Sequence, residues 1–180
     1  IGDTVVVFAQ GPIGLCATAG ARLLGATTII AVDGNDHRLG IAQKMGADVT
    51  LNFKNCDVID EIMKITGSRG ADSAIEALGT QATFESALRS IKPGGTLSSL
   101  GVYSEDLKIP LSAFAAGLGD HKINTALCPG GKERMRRLMN VLASNRLDLG
   151  LLVTHQYKLD DIVAAYDLFA HQRDGVLKVA

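Results

Sequence analysis

The apolar positions of this chain fall in two alternating rhythms. Val5-Val6-Val7-Phe8-Ala9 is an unbroken apolar run rich in β-branched residues, the pattern of a strand buried on both faces. It breaks at Gln10-Gly11-Pro12-Ile13-Gly14, and an almost wholly apolar helix follows through Ile13, Leu15, Cys16, Ala17, Ala19, Ala21, Leu23 and Leu24. A second run, Thr27-Thr28-Ile29-Ile30-Ala31-Val32, ends in a carboxylate, Asp33. Asn35 is placed to cap a helix with Leu39, Ala42 and Met45 inward, closed by Gly46. A strand over 48–53, a helix over 58–66, and a strand over 72–77 ending near Gly79 come next. Thr80 then starts a helix with Phe84, Ala87, Leu88 and Ile91 on one face, stopped by Pro93-Gly94-Gly95. A strand over 96–102, a long loop and a last strand over 122–127 complete the series. Strands alternating with helices predict a doubly wound parallel sheet with right-handed crossovers, in the order 3-2-1-4-5-6.

Beyond Leu127 the rhythm changes. Cys128-Pro129-Gly130-Gly131 interrupts, and Met135, Leu138, Met139 and Leu142 mark an amphipathic helix. A strand is predicted at 151–155, a helix through Ile162, Ala165, Tyr166 and Phe169, and a last strand at 176–180. The expected organisation is a dinucleotide-binding domain over 1–127 and a C-terminal return segment over 128–180.

The order strand, glycine turn, helix, strand, acid has a chemical reason. Gly11 admits a pyrophosphate against bare backbone, and Gly14 lets the helix pack closely on the strand. The helix N-terminus offers unpaired N–H groups to phosphate, and no acid in its first turn competes. Asp33 stands about 20 residues beyond the glycines, where a carboxylate accepts hydrogen bonds from both ribose hydroxyls of an adenosine. The same charge repels a 2′-phosphate, so NAD is expected rather than NADP. One position departs from the usual fingerprint: Ala9 stands where its first glycine belongs.

Composition narrows the partners. Lys+Arg 18 against Asp+Glu 19 gives a net charge of −1, which disfavours nucleic acid and anionic membranes. The apolar runs are strand-sized, too short for a membrane span. Three scattered cysteines, Cys16, Cys56 and Cys128, fit a reducing cytoplasm rather than a disulfide framework. The opening Ile1-Gly2-Asp3-Thr4, already at the first strand, suggests a piece of something larger.

Gly2-Asp3-Thr4-Val5-Val6-Val7, Gly11-Pro12-Ile13-Gly14-Leu15, Ala31-Val32-Asp33, Met45-Gly46-Ala47-Asp48, Lys92-Pro93-Gly94-Gly95-Thr96 and Leu152-Val153-Thr154-His155 occur in the order found in medium-chain, zinc-dependent alcohol dehydrogenases. Leu127-Cys128-Pro129-Gly130-Gly131 further resembles their bacterial secondary-alcohol branch. The resemblance runs over essentially the whole chain. It implies a Rossmann cofactor domain and C-terminal return, without the N-terminal catalytic domain that carries the family's zinc. By that likeness Gly11, Pro12, Ile13 and Gly14 line the pyrophosphate, Asp33 binds the adenosine ribose, and Arg38 lies beside it. Ala77, Leu78, Gly101, Val102 and the backbone at Leu127 flank the nicotinamide, and Lys178 reaches a phosphate. No catalytic or metal-ligating residue is placed in this chain. The implied reaction is hydride transfer between a secondary alcohol or ketone and NAD. The implied assembly is a homodimer or homotetramer joined through the strand over 122–127. NADP-using members of the branch lack an acid at the position of Asp33.

Other classes fit less well. A methyltransferase shares the acid after the second strand, but its first loop normally carries an acid that Ala9-Gln10-Gly11 lacks. An NAD-sensing regulatory module has no need of residues 151–180. A zinc-free quinone reductase relative differs only in the missing domain. His37, His121, His155 and His171 have no zinc spacing. Cys16 is expected to be a small buried hydrophobe. Lys132, Arg134, Arg136 and Arg137 form a solvated helix face. Glu76 ends a central strand and is open to either a functional or a structural role.

Overall fold

Six strands, β1 (Thr4–Phe8), β2 (Thr28–Asp33), β3 (Val49–Asn52), β4 (Ala71–Glu76), β5 (Ile91–Ser99) and β6 (Lys122–Thr125), pair in the order β3-β2-β1-β4-β5-β6. Every neighbouring pair is parallel, so all six carboxyl ends lie along one edge. This computed structural model describes residues 1–180. The expected doubly wound parallel sheet and its strand order are both present. The sequence direction reverses on either side of β1: β2 extends the sheet one way and β4 the other. That is the switch point at which doubly wound sheets open a crevice.

The central strands are apolar because both their faces are covered. Val6, Val7, Ile29, Ile30, Ala31, Ala74 and Leu97 are wholly buried between the helices. Helix α1 (Pro12–Leu23) follows β1, α2 (Asp36–Lys44) follows β2, α3 (Val58–Ile65) follows β3, and α4 (Gln81–Ser90) follows β4. Their starts use the caps expected at Asn35 and Thr80, and a further one at Asp57. The Asn35 side chain accepts from the His37 and Arg38 N–H groups, and Asp57 accepts from those of Ile59 and Asp60. Thr80 and Thr83 cap each other at the start of α4.

Two expectations for this region are corrected. The fifth strand begins at Ile91, before Pro93-Gly94-Gly95 rather than after it, and ends at Ser99. Pro93 disfavours helix in the residue preceding it, so the chain is extended from Ile91 onward. The ladder to β4 skips from Ala71–Ile91 to Ser73–Thr96 and leaves the Pro-Gly-Gly turn outside it. Cys16 is exposed, not buried. Helix α1 buries Gly14, Leu15, Thr18, Ala19 and Ala21, and its apolar composition on all sides hid which face that would be.

The chain divides into two compact units, Ile1–Pro129 and Gly130–Ala180. In the second unit, α5 (Lys132–Ala143) buries no residue, and its basic side chains are exposed as expected. Residues Leu149–Leu152 form a 3₁₀ turn, so the strand expected over 151–155 shortens to β7 (Val153–His155). Helix α6 (Ile162–Ala170) follows, and β8 (Lys178–Val179) pairs with β7 in parallel. A cleft of about 420 Å³ lies within this unit, lined in part by Tyr157, Tyr166, Phe169 and Lys178.

Candidate functional site

The carboxyl ends of β1, β2 and β4 carry the predicted cofactor loop and both strand-end acids. Ala9 leaves β1 with φ +70°, the left-handed region that a Cβ makes costly by roughly 1–2 kcal/mol. This is the position where the fingerprint has glycine, so the turn is retained although its usual residue is not. Gly14 has no such freedom: a Cβ there would lie 1.8 Å from the Ala9 carbonyl oxygen. Gly11 differs again, with nothing within 4 Å of where its Cβ would project. One glycine therefore seats the helix against the strand, and the other leaves open space above the loop.

Helix α1 begins at that open space. Gly11 is its N-cap, no side chain caps it, Pro12 occupies the first turn, and no acid is present there. Its first N–H groups are therefore left for a ligand or solvent. Beneath the loop the Gln10 side chain is fully buried, donating to the Val7 carbonyl at 2.9 Å and accepting from the Thr18 hydroxyl at 3.0 Å. Gln10 follows the apolar β1 and Thr18 lies within the apolar α1, and burial obliges the two polar side chains to pair. Sequence reasoning missed this link, although a polar residue at the end of one apolar run and another within the next were its signal.

Asp33 ends β2 on the other side of β1 from β4. Its Oδ2 accepts from the Gln10 N–H at 2.6 Å and its Oδ1 from the Asn35 N–H at 2.9 Å. A carboxylate has about four lone-pair sites, so two backbone donors fix its orientation and leave acceptor capacity for hydroxyls. Arg38, in the first turn of α2, has its Nε buried without a hydrogen-bond partner. The Phe53 ring lies over Gly34, where a Cβ would come within 2.4 Å of it. Neither Phe53 nor the Gln10–Thr18 link was among the expected site residues.

Across the switch point, Glu76 is completely buried. Its Oε1 accepts from Leu78 N–H at 2.8 Å, Gly79 N–H at 2.7 Å and the Thr83 hydroxyl at 2.8 Å. Its Oε2 accepts from the Tyr103 hydroxyl at 2.7 Å, and the Ser99 hydroxyl, 2.6 Å from the phenol oxygen, donates to Tyr103. Burial alone would raise its pKa, but the donors from Gly79, Tyr103, Thr83 and Leu78 outweigh it and hold the carboxyl below its ordinary value. Burial, with the bond to Glu76, pushes the Tyr103 phenol up to about 12, so it remains a donor. The question left open for Glu76 by its sequence position is answered toward structure.

A profile of the zinc-binding dehydrogenases matches residues 12–144. The chain belongs to the zinc-binding dehydrogenase family. It is 84% identical over 180 residues to an alcohol dehydrogenase of Cupriavidus necator, covering all of this chain and 49% of that protein. It is 38% identical over 181 residues to a protein of Entamoeba histolytica named NADP-dependent isopropanol dehydrogenase, covering 99% of this chain and 50% of the relative. Among solved structures, an alcohol dehydrogenase from Thermus sp. ATN1 superposes with a TM-score of 0.88 at 31% identity, over 99% of this chain and 50% of the other. The chain spans about half the length of the curated relatives it matches.

The first unit carries every expected cofactor residue except Lys178. Gly11, Pro12, Ile13 and Gly14 stand at the end of β1, Asp33 and Arg38 around the start of α2, and Ala77 and Leu78 beyond β4. Gly101 and Val102 follow β5, and Leu127 follows β6. Ile13, Leu78, Val102 and Leu127 are exposed, the last two by 89% and 93%. Such large apolar side chains at strand ends are available to cover an apolar ligand surface. Lys178 lies on β8 of the second unit and is exposed. The donor set fits a nicotinamide dinucleotide: an open glycine loop at a helix start, a half-satisfied carboxylate and an orphaned guanidinium nitrogen. It does not fit zinc, because no three His, Cys, Asp or Glu side chains of this chain converge as metal ligands.

Proposed function

We propose that this chain is the NAD(H)-binding half of a secondary-alcohol dehydrogenase. The observation that carries it is Asp33, oriented by the Gln10 and Asn35 N–H groups at the end of β2, beside an unblocked glycine loop. In this reading Gly11–Gly14 and the start of α1 hold the pyrophosphate, and Asp33 and Arg38 hold the adenosine ribose. Ala77, Leu78, Gly101, Val102 and Leu127 orient the nicotinamide. When bound, the cofactor supplies the hydride acceptor for an alcohol or the donor for a ketone. This chain's own contribution is to bind, orient and shield it. Relatives named NADP-dependent share 38% of the sequence, but a fixed carboxylate at the ribose would meet a 2′-phosphate as a like charge, which costs several kcal/mol.

Titration of the intact protein with NADH and NADPH at equal ionic strength tests the preference. NADH should bind at least about tenfold tighter, and Asp33→Ser should narrow that gap. Tighter binding of NADPH would end the argument for NAD.

The same reading places the protein in the cytoplasm as a homo-oligomer. No helix is long and apolar enough to cross a membrane. All four residues of β6 are exposed at the sheet edge, without proline and with one charge, Lys122, at the end. An open edge of this kind pairs with its own copy across a two-fold axis. Thr125→Pro should lower the mass seen by light scattering and spare NADH binding. A protein already monomeric at tens of micromolar, or a variant still associated, would remove β6 as the interface.

A further inference from the structure

We propose that Glu76 is a positioning residue for the nicotinamide side of the site, tying the loop after β4 to the loop after β5. The inference rests on the cofactor-binding reading above. Four donors converge on this one carboxylate from three segments: Leu78 and Gly79 after β4, Thr83 on α4, and Tyr103 beyond the end of β5, whose phenol is held in turn by the Ser99 hydroxyl. They match the roughly four lone-pair sites a carboxylate offers. Glu76 therefore has nothing left for a ligand and no surface with which to touch one. Its influence reaches a cofactor only through the loops it holds.

Those loops have no slack. A Cβ on Gly79 would stand 2.4 Å from the Val102 carbonyl oxygen. A Cβ on Gly101 would stand 2.2 Å from the Gly79 nitrogen and 2.5 Å from Glu76 Oε2. Backbone meets backbone directly above the carboxylate, and the residues displayed there, Leu78 and Val102, are exposed. Leu78 is hydrogen-bonded to Glu76 through its own N–H, and Val102 lies between Gly101 and Tyr103. The two side of the carboxylate serve different loops: Oε1 takes the β4 loop and α4, and Oε2 takes the β5 loop. A change at Oε2 alone should therefore shift Val102 relative to Leu78 without disturbing Asp33, which lies on the other side of β1.

Glu76→Gln makes such a change, because an amide nitrogen can replace Oε2 while the amide oxygen still accepts from Leu78, Gly79 and Thr83. Calorimetric titration of the intact protein with NADH and with ADP-ribose, which lacks nicotinamide, reads the two halves of the site separately. We expect NADH affinity to fall about tenfold, or about 1.4 kcal/mol, and ADP-ribose affinity to fall by less than about threefold. Tyr103→Phe keeps the ring packed edge-on against Phe84 and removes only the donor to Oε2. It should weaken NADH about threefold and leave ADP-ribose unchanged, and it serves in place of Glu76→Gln if that variant does not fold. Equal losses for both ligands, or no loss for either, would overturn the positioning role. A wild-type protein that binds neither ligand would instead overturn the cofactor reading on which the role rests.

Discussion

Asp33 and Glu76 are carboxylates at the carboxyl ends of the two strands that flank β1, and both are buried, at 8% and 0% exposure. Their surroundings nevertheless divide their roles. Asp33 has two backbone donors, which fix its direction and leave it acceptor capacity. Glu76 has four donors and is saturated. Counting satisfied lone pairs thus separates a carboxylate available to a ligand from one consumed by the fold. Residue type and strand position alone do not.

The comparison breaks most readily by truncation. Glu76→Ala would strip the acceptor from the Leu78 and Gly79 N–H groups and leave a cavity, costing about 3–5 kcal/mol. Asp33→Ala would free only the Gln10 and Asn35 N–H groups at a partly open edge, costing about 1–2 kcal/mol, while losing more in NADH affinity. Urea unfolding of both variants checks the order. A larger stability loss at Asp33 than at Glu76 would invert the assignment of roles.

A smaller effect is expected in acid. The folded-state pKa of Glu76 lies below its ordinary value of 4.5, so the unfolded chain binds its proton first as pH falls. The stability it contributes is present above about pH 4.5 and is lost as pH drops through the lower folded value. Asp72, held below 3.8 by its bond from Lys92 and by the Thr4 N–H, adds an acid limb of the same sign. Glu76→Gln, which cannot titrate, should therefore lose less stability than the wild type between about pH 6 and about pH 3, measured by urea midpoints. An identical acid limb in both proteins would mean that Glu76 gains nothing from its donors.

Much of this architecture is legible in the sequence. The alternation of apolar runs with capped amphipathic stretches gave the strand and helix order, because buried parallel strands must be apolar on both faces and helices must be closed at their ends. The glycine turn and Asp33 mark the proposed site because a dinucleotide requires close backbone approach and a ribose acceptor. The inward face of α1 was not legible, and Cys16 was misplaced for that reason: a helix apolar on every side carries no periodic signal. The start of β5 was also misread, since glycine and proline suggested an interruption where the chain was already extended.

The sequence by itself determined the order of elements, the sheet class and the place of the glycine turn, because these follow from local periodicity and from turn chemistry within a few residues. Only the tertiary structure decided what each acid bonds to. Glu76 meets Tyr103 and Asp33 meets Gln10 across gaps of 27 and 23 residues, and nothing local announces either pairing. Folding brings these donors together because a buried carboxylate without them would be too costly to keep.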